Sequence, residues 1–262
     1  MPHAEATPSG AAPDADNREA TPARDECIFY HVIDLPDEAA TPGSWDFRDT
    51  EVEYHGGFEF AGKRVLEIGT ATGSHAFWME RQGADVLPYD LTPRHSWDLL
   101  PAPVQDSRQV DMRMRKLIGE INAGFRYCRD RLGSKLSLHG GTAYDIPTAL
   151  GEFDVIVFAS VLLHLRDPMG ALQRAACRAK TIIICDRYWP SLDNARPDAQ
   201  FAPRLGDELP WGGWTWWYVS PKAYEAMLQL LGFTSFRTTV SGHLHIPSRD
   251  RIALYTLIAS RS

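Results

Sequence analysis

The stretch Arg64-Val65-Leu66-Glu67-Ile68-Gly69-Thr70-Ala71-Thr72-Gly73-Ser74, followed sixteen residues later by Asp90, decides how this chain is read. Val65, Leu66 and Ile68 form a short apolar run of the kind a strand covered on both faces requires. Gly69 and Gly73 permit a tight turn and a close approach of backbone to a ligand. A helix from about 74 to 82 then opens with free N–H groups beside that turn. A second strand over 85–90 ends in Asp90, where a carboxylate can grip the two hydroxyls of a ribose. Strand, glycine turn, helix and acid-terminated strand make the layout of a nucleotide or nucleoside site in an open α/β sheet.

The glycine spacing separates two ligands. A dinucleotide site needs G-x-G-x-x-G, because its backbone hugs a pyrophosphate. Here the turn is G-x-x-x-G, with Ala71 in the middle and Glu67 two residues before the first glycine. An acid at that position repels phosphate and suits a cation. S-adenosylmethionine carries an ammonium and a sulfonium and no phosphate. The E-x-G-x-x-x-G form followed by Asp90 resembles the first motif of class I methyltransferases and its partner acidic residue.

From 62 onward strands and helices alternate. Strands are expected at 63–68, 85–90, 135–140, 153–160, 180–186, 234–240 and 251–259, and helices at 74–82, 107–132, 168–178 and 220–231. Such alternation predicts a Rossmann-like α/β fold, a seven-stranded and mostly parallel sheet with an antiparallel last strand and helices on both faces. Residues 1–25, rich in Ala, Pro, Asp and Glu, are expected to lack order. Residues 26–262 then form the domain, with a lid segment at 26–60 and an insertion at 188–219. A Pro-bearing connection at 91–105 is a second candidate lid.

Composition narrows the partners. With 262 residues, 44% hydrophobic content and a formal charge of −7, the chain suits one domain and disfavours a polyanion such as nucleic acid. Residues 108–116 are locally basic and read as a solvated helix face. Cys27, Cys128, Cys177 and Cys185 are scattered, and Cys177 and Cys185 are expected to be buried reduced thiols. With no secretory signal, and a longest apolar run (155–163) too short to span a bilayer, the expectation is a cytoplasmic protein without membrane contact. It is expected to be a monomer or homodimer.

A narrower resemblance rests on loop motifs. Phe153-Asp154-Val155-Ile156-Val157-Phe158 followed by Leu162-Leu163-His164-Leu165-Arg166-Asp167-Pro168 is similar to a strand and its following loop in class I methyltransferases. Tyr30-His31 with Thr41-Pro42-Gly43, and Trp216-Trp217 before Ser220-Pro221, resemble the tRNA wobble-uridine (5-methoxyuridine/5-carboxymethoxyuridine) methyltransferase-like family. That family includes members directed at small molecules. Its carboxymethyl-transferring members have a tyrosine before the loop histidine. This chain has Leu163, so ordinary S-adenosylmethionine is the expected cofactor.

The resemblance implies residue roles. Gly69 meets the methionine and ribose part of the cofactor and Asp90 its ribose hydroxyls, with Glu67, Thr70, Gly73 and Leu91 completing that end. Ala143 and Tyr144 flank the adenine, with Asp145 as an alternative partner, and Ala159 and Ser160 touch the methionine moiety. His164 is the first candidate base, or alternatively a structural histidine, and His31 is the second. Tyr30, Arg48, Arg187, Trp211 and Trp214 are candidates for the acceptor, with Trp217 expected in the core. His243 and His245 are expected in a loop. Their H-x-H spacing makes a metal pair conceivable, but no acid or thiol pattern completes it, and no metal is expected.

Three functions fit these residues. The first is an S-adenosylmethionine-dependent methyltransferase acting on oxygen or nitrogen of a small molecule in specialised metabolism. The second is a tRNA wobble-uridine methyltransferase, and the third a cofactor-binding regulatory protein without catalysis.

Overall fold

A computed structural model of the protein describes residues 20–98, 107–204 and 215–261. The N-terminal segment crosses one end of the molecule, contributing β1 (Trp45–Asp46) and α1 (Glu51–Tyr54). There follow β2 (Arg64–Ile68), α2 (Ser74–Arg81), β3 (Asp85–Asp90), α3 (Ser107–Leu132), β4 (His139–Gly140) and β5 (Phe153–Ala159). The chain continues through α4 (Pro168–Ala176), β6 (Ala179–Arg187), β7 (Ala199–Arg204), β8 (Thr215–Val219), α5 (Pro221–Leu230), β9 (Ser235–His245) and β10 (Asp250–Ser260).

The main sheet has the order β1-β9-β10-β6-β5-β2-β3-β4. Strands β6, β5, β2, β3 and β4 pair in parallel, and β10, β9 and β1 add antiparallel. The sheet therefore has eight strands where seven are expected, because the two residues of β1 pair with the end of β9. Its α/β class is the expected one. The stretch 135–140 yields only the two-residue edge strand β4, whose ladder with β3 is limited to His139 and Gly140. His243 and His245 lie in β9 and not in a loop, since that strand runs on to meet β10 through a tight turn.

Alternation along β2 sorts its side chains into two cores. Leu66 and Ile68 join one layer with Ile156, Phe158, Ile182 and Ile184 beneath α4 and α5. Val65 joins the opposite layer with Val155, Val157 and Ile183, beneath α2, α3 and the N-terminal segment. Between them in register, Glu67 is fully buried. The strand order turns back between β2 and β5, and the turn at 69–73 leaves β2 at that point, where open α/β sheets form their ligand crevice.

Residues 1–19 of the expected disordered tail lie outside the described residues. Arg24–Glu26 form a single 3-10 turn, and Arg24 donates to Glu38 and to the carbonyls of Ala39 and Ala40. Cys177, expected buried, is exposed because it caps the solvent end of α4. Trp216 is the buried member of the Trp216–Trp217 pair, at 3% exposure, while Trp217 is half-buried against the α4–α5 layer. Trp217, expected in the core, packs only partly against it, while β8 turns Trp216 inward, its indole donating to the Asp98 carbonyl at 3.1 Å. No helix among the described residues is long and apolar enough to cross a membrane.

Ser220 ties the insertion to the sheet. Its hydroxyl accepts from Ala223 N (3.1 Å) as the N-cap of α5 and from Asp198 N (3.0 Å), and donates to the Arg196 carbonyl (2.8 Å). Replacing it removes a cap and leaves buried backbone groups unpaired. Ser220→Ala should therefore lower stability by about 2–3 kcal/mol in urea unfolding, and a change below about 0.5 kcal/mol would show the hydroxyl to be dispensable.

Candidate functional site

A cavity of about 650 Å³ opens at the carboxyl ends of β2, β3, β5 and β6. Its first end is built by the glycine turn and the acid that closes β3. Gly69 has φ +81°, and a Cβ there would lie 2.1 Å from Val161 Cγ2, so no side chain fits. Gly73 has φ +85°, and a Cβ there would meet Phe77 and Phe125 at 2.6 and 2.7 Å. Its task is the close packing of α2 on α3. Ala71 adopts the left-handed conformation (φ 49°) and donates its N–H to Asp90 Oδ2 at 2.7 Å. Leu91 N donates to Asp90 Oδ1 at 2.7 Å. Burial raises the Asp90 carboxyl to about 6 against the pull of these two bonds.

Glu67 lies beneath this turn. Its Oε2 accepts from Thr70 Oγ1 at 2.5 Å, and its buried Oε1 has no partner. Burial pushes this carboxyl up to about 8, against the Thr70 bond, and the nearby Asp90 adds to the rise.

Among the residues expected at the cofactor, Gly69, Asp90, Leu91, Ala143, Tyr144, Ala159 and Ser160 line the cavity. Glu67, Thr70 and Gly73 do not; they support the turn from behind. Tyr144 is locked at its outer edge, where its hydroxyl donates to Asp98 Oδ2 (2.6 Å) and accepts from Asp167 N (3.1 Å). Asp98 also takes the backbone N–H of Arg166 (2.7 Å) and pairs with its guanidinium, which pins the 91–98 connection against the loop after β5. Asp145 is exposed, and its carbonyl accepts from Tyr89. Ser160 holds a left-handed backbone (φ 55°), a conformation that carries strain in a non-glycine residue.

The second end is aromatic. Tyr54 stacks on His75 with centroids 4.2 Å apart and planes within 3°, and Phe47 packs on Tyr54 at 4.5 Å. His31 meets His75 at 5.1 Å, and Tyr30 joins them on the wall. Burial holds His31 down to about 3 and His75 well below its ordinary value, so both imidazoles are neutral. His164 lines the cavity beside Trp97, at a ring distance of 6.3 Å. Arg187 also lines it, its guanidinium 4.6 Å over the ring of Trp189.

Arg48, a candidate for an acidic acceptor or equally for a surface salt bridge, lies outside the cavity, held by Asp34 and Asp46 in a surface ion-pair cluster. Trp211 and Trp214 lie outside the described residues. His243 is off the cavity, with both ring nitrogens engaged by Thr50 Oγ1 (3.0 Å) and Ser241 Oγ (2.7 Å). His245 stands at the rim against Trp45, its Nδ1 at 2.9 Å from Ser248 Oγ.

Sequence reasoning missed Tyr54, His75 and Asp186, all of which line the cavity. Asp186 had a readable signal: it ends the apolar run Ile182-Ile183-Ile184-Cys185 as Asp90 ends β3. Tyr54 and His75 had none, since an aromatic before a glycine pair and a histidine in a helix are ordinary core residues.

A family model described as a methyltransferase domain matches residues 47–236. The crystal structure of the N-terminal domain of EvdMO1 in the presence of SAH and D-fucose is similar at TM-score 0.55 and 19% identity, over 90% of this chain and 93% of that one. The same domain with SAH bound is similar at TM-score 0.55 and 17% identity, over 91% and 93%. Whole EvdMO1 gives TM-score 0.50 and 17% identity, over 91% of this chain and 46% of that one. At such identity the likeness is one of fold. No curated protein sequence matches.

Glu67 provides a test of the buried turn. A carboxyl raised by burial contributes stability that is present below the unfolded value near 4.5 and is lost as pH rises through about 8. Glu67→Gln keeps the Thr70 bond and cannot ionise. The loss of stability between pH 5 and pH 9 should therefore shrink by more than about 1 kcal/mol in the variant, read by urea unfolding at each pH. Parallel curves for the two proteins would remove Glu67 as the cause.

Proposed function

The chain belongs to the methyltransferase-domain family, and on that premise we propose that it methylates a small-molecule acceptor at oxygen or nitrogen, with S-adenosylmethionine as donor. When bound, S-adenosylmethionine supplies a methyl group on a sulfonium, which is its own leaving group. The residues at the β2–β3 end fit it. Asp90 is fixed by two backbone N–H groups and keeps lone pairs for a pair of hydroxyls. The carboxylate of Asp90 makes this end acidic, which suits a phosphate-free and positively charged nucleoside. Ala143 and Tyr144 offer a flat wall for its base, and Gly69, Ala159 and Ser160 its remaining contacts.

The observation that carries the small-molecule reading is the single cavity of about 650 Å³ running from these residues to the aromatic wall. That is the size range of small-ligand sites, and it leaves room for an acceptor beyond the donor. A regulator that had lost its chemistry would need no such room. The formal charge of −7 supports the same reading over a polyanionic acceptor. The protein's part is to align the acceptor and exclude water. Tyr30, His31 and the 91–98 connection close over the cavity for that purpose. A base as weak as the buried His31 serves packing and positioning. His164, half-buried beside Trp97, is placed to orient or deprotonate the acceptor, and Arg187 stands at the rim.

Two measurements test this reading. Calorimetry should show binding of S-adenosylhomocysteine, weakened about 10–100-fold in Asp90→Ala, the effect of losing hydrogen bonds to a charged acceptor. Unchanged affinity in the variant would end the ribose role of Asp90. With radiolabelled S-adenosylmethionine, the label should pass to the low-molecular-mass fraction of a cell extract and not to total tRNA. Label in tRNA would overturn the small-molecule reading.

A further inference from the structure

Three segments that wall the cavity meet at one carboxylate. The 91–98 connection, the loop after β5 and strand β8 contribute Trp97, Asp98, His164, Arg166 and Thr215 to the lining. Among the described residues no backbone–backbone hydrogen bond joins any two of these segments. Side chains hold them together, and the bonds converge on Asp98, whose side chain is 9% exposed. Its Oδ2 accepts from the Tyr144 hydroxyl (2.6 Å) and from Arg166 N (2.7 Å), and its Oδ1 accepts from Arg166 Nε. The Asp98 carbonyl accepts from the Trp216 indole at 3.1 Å, and the Arg166 carbonyl from the Trp217 indole at 3.2 Å.

An ion pair alone at a surface contributes little. Here one carboxylate, nearly closed to water, takes a hydroxyl, a backbone N–H and a guanidinium together, and such charge-assisted bonds are short and directional. What they orient is Tyr144. The stretch that carries this residue is tied to β3 on both sides of it: Gly141 N donates to the Asp90 carbonyl at 2.9 Å, and the Tyr89 hydroxyl to the Asp145 carbonyl at 2.6 Å. Those bonds fix the backbone beside Asp90, but a tyrosine ring still has its own side-chain rotamers. The hydroxyl at its outer end is the remaining handle. Asp98 accepts from it, and Asp167 N donates to it at 3.1 Å. The half-buried ring is thereby held as a wall of the cavity at the end where Asp90 stands.

We propose that Asp98 is a positioning residue for the methyl donor: acting through the Tyr144 hydroxyl, it sets the ring against which the donor's nucleoside lies, and it locks the loop after β5 to that ring. The proposal rests on the methyltransferase reading above, with the donor at Asp90. Asp98 transfers no proton and touches no reacting atom. Its contribution is made before the donor arrives, because a wall already in place loses no freedom on binding. Without the carboxylate, the Tyr144 hydroxyl and Arg166 N lose their shared acceptor and the ring is free to turn. Binding must then order that ring, at the cost in entropy of fixing a side chain.

The test is S-adenosylhomocysteine binding by calorimetry, with urea unfolding of the ligand-free proteins alongside. Asp98→Ala should weaken binding about tenfold, the equivalent of one hydrogen bond to a charged group. Tyr144→Phe keeps the ring and removes the hydroxyl, and should weaken binding several-fold. Added to Asp98→Ala, it should have no further effect, since the hydroxyl has already lost its partner. A carboxylate with a structural role alone would lower unfolding stability and leave the affinity as it is, or its effect would add in full to that of Tyr144→Phe. Either result overturns the proposal. If Asp98→Ala fails to fold, Tyr144→Phe decides by itself: a several-fold loss supports the proposal, and an unchanged affinity overturns it. If the unaltered protein does not bind S-adenosylhomocysteine, the underlying methyltransferase reading falls and this proposal with it.

Discussion

The pair of backbone hydrogen bonds to Asp90 is the constraint on which the site depends. Ala71 N comes from the turn after β2 and Leu91 N from the residue after β3, and one carboxylate holds both. The two strands are already parallel neighbours, but a ladder stops where its strands stop. Beyond it the glycine turn would be free to move away from β3. Asp90 extends the connection past the sheet and sets the turn's left-handed residue at Ala71. The same carboxylate must be kept charged or nearly so in a buried place, and the two N–H donors oppose the desolvation that raises it.

From that fixed point the rest of the cavity is assembled by burial. The loop after β5 is held by Ser160, whose N–H donates to the Cys185 carbonyl, and by the Asp98–Arg166–Tyr144 group. The N-terminal segment reaches the opposite side through His31, Phe47 and Tyr54, which pack on His75 of α2. Imidazoles placed among aromatic rings lose their charge to desolvation, and the wall is apolar in effect although rich in histidine. The asymmetry is physical: Asp90 at the β2–β3 end, neutral rings at the aromatic end, and one further carboxylate, Asp186, at β6.

Much of the fold was legible because periodicity is a local property. The helices at 74–82, 107–132, 168–178 and 220–231 stand within two residues of α2, α3, α4 and α5. The parallel strands show as apolar runs since both their faces are covered. Misreadings came where context outweighs pattern. The polar residues 241–245 look like loop because they carry no apolar alternation, yet the ladder with β10 carries β9 through His243 and His245. The two residues of β1 are too few to carry any period. Trp216 and Trp217 are indistinguishable in sequence, and only the face of β8 decides which is buried. Arg48 shows the same limit: the sequence allows an acceptor contact or a surface ion pair, and the fold brings Asp34 beside it.

What the sequence determined by itself is the α/β class and the turn-and-acid unit at the β2–β3 end of the cavity. The residues at 64–90 lie within one strand-turn-helix-strand unit, and their spacing is their geometry. What only the tertiary structure decided is the aromatic end of the cavity. Tyr54, His75, Asp186, Trp189 and Thr215 are far apart in the chain and share no motif. They meet because the strand order turns back between β2 and β5, which places the ends of distant strands on one crevice.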